Sequence, residues 1–160
     1  MRHSFTLIIL SCAIGVGVYS LAADRSLVYS VASNKIVLTL KADCNALLKE
    51  CDRLQVELER YGQEFAGFST ELKHQGNRGG FLNRATTWVK SAMFVIDGHL
   101  KSINDKYGNC MCLSAKVNLT GDLKKLVEET QQKYYQLRNR AMGLRTAIVA
   151  FRNKIQPNLN

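Results

Sequence analysis

Four cysteines beyond residue 23 are the side chains best equipped for chemistry in this sequence. Cys44 and Cys51 lie seven residues apart, and Cys110 and Cys112 flank a single methionine. Thiols at such spacings form disulfides, bind zinc, or exchange electrons through a CxxC pair. The chain has no CxxC. On a helix, Cys44 and Cys51 stand about 10.5 Å apart along the axis. That suits one tetrahedral metal poorly, so neither a zinc site nor any cofactor is expected. The same rise exceeds the roughly 7 Å that bridged Cα atoms tolerate, so both residues need partners elsewhere. Cys44 lies 33 residues before Asn77 and Cys110 lies 33 after it, which levels them in an antiparallel hairpin turning at Asn77. Two bridges that preserve chain order are expected, Cys51–Cys110 and Cys44–Cys112, with the CMC segment extended across the gap. The crossed pairing, Cys44–Cys110 with Cys51–Cys112, strains that segment harder.

Other reactive residues are scattered. His74 falls in a turn and His99 on a helix, and no HExxH, GxSxG or glycine-rich loop between strand and helix accompanies them. The glycines of GNRGG belong to a turn between helices. The chain therefore reads as non-enzymatic, without catalytic or metal-ligating residues. Asn118-Leu119-Thr120 is an N-glycosylation sequon in a loop, with Asn118 the acceptor if the source is eukaryotic.

The elements that must carry these residues are helices. From Val37, apolar residues recur at Leu40, Cys44, Leu47, Cys51, Leu54, Leu58, Tyr61, Phe65, Phe68 and Leu72, a 3,4-spaced heptad seam. A second seam runs from Leu82 to Cys110 and a third from Leu123 to Ile155, where Pro157 stops it. The expectation is an all-α, up-down-up three-helix bundle of long, coiled-coil-like helices, stapled by the two disulfides. The helices are placed at about 34–73, 82–109 and 121–155, with Thr120 or Asp122 capping the third. The segment from Asp24 to Ser33 reads equally as helix or extended arm. The seams are packed core within one chain, or they pair between chains in an oligomer.

The start of the chain reads as an export signal. Arg2 precedes an apolar run, and Ser20-Leu21-Ala22 presents small residues ahead of the first acid, Asp24. Residues 1–22 are expected to be cleaved, leaving one domain over 23–160 that is secreted or periplasmic. Residues 5–23 would also just span a bilayer as an uncleaved anchor facing outward, and ILSC at Cys12 resembles a lipoprotein box. Cleavage removes only Arg2 from the charge, leaving +8 of the +9.

Charge then suggests partners. The first helix carries Asp43, Glu50, Glu57, Glu64 and Glu71 along one flank. The third carries Lys124, Arg138, Arg145 and Arg152 along another. In parallel helices these flanks meet, predicting Asp43–Lys124, Glu57–Arg138, Glu64–Arg145 and Glu71–Arg152. That internal pairing argues against nucleic acid as partner. Phe81, Trp88 and Val95 lie outside the second seam, and in this arrangement they border Lys133 and Arg140, cations left over from the ladder. This row is the expected binding surface, suited to an anionic lipid or glycan surface or an acidic protein patch. The chain thus reads as an exported, non-enzymatic binding protein for an acidic or amphiphilic partner. A membrane-anchored oligomeric coiled-coil stalk and a small secreted helical signal are the alternatives.

Overall fold

The computed structural model describes residues 3–75 and 79–156, with side chains described over 33–74 and 79–156. The expected signal peptide, the alternative span at 5–23, the turn at Asn77 and Pro157 lie outside the described side chains. Among the described residues, no helix is long and apolar enough to cross a membrane.

The fold is all-helical: α1 spans His3–Gln75, α2 Gly79–Ser114 and α3 Gly121–Ile155. The chain divides into two compact units, residues 1–39 and residues 40–160. In the first unit, Asp24 to Ser33 is helical rather than extended. The second holds the remainder of α1 together with α2 and α3, and is the bundle.

Its core is made by the three seams. Leu40, Cys44, Leu47, Cys51, Leu54, Leu58 and Tyr61 of α1 are buried, as are Leu82, Val89, Ile96 and Ile103 of α2 and Val127, Tyr134, Ala141, Ile148 and Ile155 of α3. Each α1 and α3 stripe follows helical spacing, so one face of the helix leaves water while the other keeps its charges solvated. The α2 backbone comes closest to α3, and α1 reaches both through long side chains. Between α2 and α3 the chain turns through Gly121, whose φ of 51° is the single positive φ among the described residues. A side chain there would meet the left-handed penalty that glycine avoids. Thr120 occupies the N-cap position in extended backbone, without a side-chain cap bond.

Two expectations about α2 fail together. The helix does not end near residue 109 but continues through the CMC segment to Ser114. Residues i and i+2 of a helix point to opposite sides, so Cys110 is buried while Cys112 is exposed. They cannot both turn to α1. All four described cysteines are free thiols, and neither Cys51–Cys110 nor Cys44–Cys112 is bridged. Cys44 on α1 and Cys110 on α2 are both fully buried. The expected bridges required an extended CMC segment, and the segment is helical.

The predicted charge ladder is absent as well. The acids on that flank of α1 face α2: Glu50 meets His99 at 3.0 Å, and Glu64 accepts from Trp88 Nε1 at 2.6 Å. Glu71 pairs with Arg84. Helix α3 lies on the other side of α1, where Lys133 pairs with Asp52 and Arg140 with Glu59. The bundle has the opposite hand to the one the ladder assumed. Exposed ion pairs contribute about 0–1 kcal/mol each, too little to choose a hand against the packing of the core.

Candidate functional site: the groove between α2 and α3

The expected binding row is not assembled. Phe81 is buried against Phe68, with ring centroids 6.1 Å apart. Trp88 is half-buried in a cluster with Phe65 at 6.1 Å, Phe68 at 5.0 Å, and Tyr61 and Phe151 at 6.4 Å. Val95 is half-buried on the same side. These residues form a second stripe of α2 that packs on α1. Lys133 and Arg140 answer acids of α1 and do not border that stripe. The cations near Trp88 are Arg60 and Arg84, which share a shallow depression with its ring edge. Both are already engaged, Arg60 with Glu57 and Glu64, and Arg84 with Glu71.

A different surface gathers unsatisfied groups. On α2, Thr86, Val89, Lys90 and Met93 follow one another at i, i+3, i+4 and i+7, which places them on one face. On α3, Arg152, Ile155 and Gln156 do the same at i, i+3 and i+4. Together they line a groove of about 610 Å³. Its floor is apolar, from Val89, Met93 and Ile155. Beside Met93, Phe94 projects into solvent, 82% exposed.

Among the described residues, the cations of the groove have no acidic counterparts. Along the flank where α2 and α3 meet, Arg145 Nε donates to Asp97 at 2.7 Å. One heptad back on α2 and one heptad on along α3, in the same antiparallel register, stand Lys90 and Arg152. There the opposition is cation against cation. Among the described residues neither side chain has an ion-pair partner. Like charges set opposite each other are destabilising, by a few tenths of a kcal/mol in exposed helical pairs.

Thr86 adds a second unmet demand. Four other helical threonines, Thr39, Thr70, Thr130 and Thr146, donate to the carbonyl four residues earlier. Thr86 does not. Its Oγ1 is buried without a hydrogen-bond partner, a condition that costs about 1–3 kcal/mol. The groove therefore offers two cations above an apolar floor, with the unpaired Thr86 hydroxyl buried in its wall. Sequence reasoning missed it because Lys90 and Arg152 belong to rows whose opposition depends on which helices adjoin.

Among the described residues, no group of three or more His, Cys, Asp or Glu side chains is placed to hold a metal ion. His99 is engaged with Glu50, and His74 is exposed at the end of α1. Asn118 is exposed in the α2–α3 connection. Comparison with protein-family models, with curated proteins and with solved structures finds no match.

Proposed function

We propose that this chain is an exported, non-enzymatic helical binding protein whose α2–α3 groove takes a single-chain anionic amphiphile. The acid group sits between Lys90 and Arg152, and the Thr86 hydroxyl turns to donate a hydrogen bond to it. The apolar tail lies over Val89, Ile155 and Met93 toward the exposed Phe94. The observation that carries this reading is the opposition of Lys90 and Arg152 across the mouth of the groove. An anion between them turns repulsion into two charge-assisted hydrogen bonds, stronger than neutral ones.

Several features fit this reading. The net charge, +8 of the full +9 once residues 1–22 are removed, draws anions toward the surface at long range. The tail contacts are apolar, as small-molecule sites usually are, with few polar groups to orient the ligand. Asn118 lies more than twenty residues along α2 from the groove, roughly 30 Å at helical rise, so a glycan there would leave the groove open.

The test is calorimetric titration with dodecanoate below its micellar concentration, beside dodecyl trimethylammonium as the cationic control. Dodecanoate is expected to bind saturably with one site, and the cation not to bind. Lys90→Glu places a carboxylate opposite Arg152. It is expected to weaken dodecanoate at least tenfold while leaving the free protein as stable or slightly more so. Equal binding of both amphiphiles, or full dodecanoate affinity in Lys90→Glu, overturns the reading.

A further inference from the structure

Away from α1, helices α2 and α3 share an outer face. On α2, Lys90, Phe94, Asp97 and Lys101 follow at i, i+4, i+7 and i+11. On α3, Arg138, Met142, Arg145, Val149 and Arg152 follow at i, i+4, i+7, i+11 and i+14. Such spacings keep each set on one side of its helix. The Arg145–Asp97 pair and the Tyr107–Tyr135 hydroxyl bond at 3.2 Å fix the antiparallel register. That register sets Phe94 level with Val149, and Lys101 level with Met142. Of the four large hydrophobic side chains that the described bundle exposes, three lie on this face: Phe94, Met142 at 41% and, toward its end, Tyr135 at 44%. The fourth, Val56, stands on α1 between the buried Leu54 and Leu58, hence on the far side of that helix. The charge of the outer face is one-sided. Across residues 90–104 of α2 and 138–152 of α3 the sole acid is Asp97, and Arg145 engages it. Lys90, Lys101, Arg138 and Arg152 have no ion-pair partner among the described residues. Acids return only past its end, with Asp105 on α2 and Glu128 on α3, the latter paired with Lys124.

We propose that this face docks on the surface of an anionic lipid bilayer, with α2 and α3 lying in its plane. Phe94, Met142 and Val149 enter the boundary between headgroups and acyl chains. The four unpaired cations reach the lipid phosphates, their alkyl stems covering apolar surface while their charged heads stay wet. Each cation held near an anionic leaflet adds to the attraction. A protein partner fits the pattern less well. Protein interfaces gather apolar contacts in a core, leave charges at the rim and are depleted in lysine. Here cations and apolar groups alternate along the whole face. That suits a partner whose charges are mobile and whose apolar layer lies at one depth throughout. The proposal goes beyond the groove and does not rest on its ligand, because Lys101, Arg138 and Met142 line no part of it.

The experiment is hydroxyl-radical footprinting of the full-length chain, free and with vesicles of saturated lipid. One set of vesicles holds phosphatidylglycerol and phosphatidylcholine in equal parts, and the other phosphatidylcholine alone. Oxidation of Met142 and Phe94 is expected to slow several-fold on the anionic vesicles and little on the neutral ones. Val56 is expected to keep its rate on both, which reports the face that docks rather than attachment of the chain by any other segment. Raising the salt is expected to reverse the protection, since it screens exposed charges. Lys101→Glu alters an exposed side chain outside the groove. It is expected to lose most of the protection at Met142 while keeping its melting temperature and its affinity for dodecanoate. Absence of protection, equal protection on both vesicles, or protection of Val56 as strong as that of Met142 overturns the proposal. Protection of Phe94 without Met142 overturns it too, by placing lipid in the groove instead. So does protection that appears in the free chain as its concentration rises, which would make the face a contact with a second copy.

Discussion

At the scale of single residues, Thr86 separates what stabilises this bundle from what serves a ligand. Four threonines discharge their hydroxyls onto their own helices, and Thr86 keeps a buried oxygen unpaired. Thr86→Val preserves the branched shape while removing that oxygen. The free protein is expected to gain about 1 kcal/mol, since an unsatisfied buried group costs at least that much. Dodecanoate is expected to bind several-fold more weakly, because the acid group loses a donor. Urea denaturation and calorimetry measure the two effects separately. A gain in stability with unchanged affinity would show that the hydroxyl is no part of the site. Nothing in the spacing around Thr86 marks it in the sequence, where it reads as one more seam position. Trp88 illustrates the reverse error. It falls outside a narrow heptad seam, yet a helix with two neighbours buries a wider arc than a two-stranded seam requires, so the stripe from Phe81 to Val95 is used against α1.

At the scale of elements, the three helices and their buried faces were legible because burial repeats every three or four residues. The hand of the bundle was not. Cys44, Leu47 and Leu54 face the core whichever neighbour stands to the left, and only the flanks differ between the two hands. The flanks carry exposed charges with weak individual preferences. Glu59 and Arg140 lie 3.7 Å apart and are about half exposed. Reversing each alone is expected to destabilise slightly, and reversing both to restore part of the loss, with a coupling energy of about 0.2–1 kcal/mol. The same cycle on Glu57 and Arg138 is expected to show none, because Glu57 pairs with Arg60 within α1. Coupling at Glu57–Arg138 and none at Glu59–Arg140 would require the opposite hand. The groove follows from the same choice of hand. Lys90 meets Arg152 only because this flank of α2 adjoins this flank of α3, so the site could not be read before the neighbours were known.

At the scale of the whole molecule, the question is how much chain the bundle and its groove require. The buried side chains begin at Leu40, and the described residues before it are exposed or half-buried, Leu38 being 68% exposed. The second compact unit likewise begins at Leu40. Every buried seam residue and both groove cations lie within it. A chain beginning at Ser33 retains all of these and keeps two turns of helix ahead of Leu40, enough to hold the first core layer away from a fraying end. It is expected to unfold in one cooperative transition within about 2 °C of a chain beginning at Asp24, since a loss of 1 kcal/mol moves a domain of this size by a few degrees. Its dodecanoate affinity is expected to be unchanged, because no groove residue precedes Thr86. Circular dichroism against temperature and the same titration measure both quantities. A midpoint lowered by 5 °C or more would mean that residues 24–32 contribute to the folded core. Unchanged stability with lost binding would place part of the ligand site on those residues instead. If both quantities hold, residues 33–160 carry the fold and the binding together.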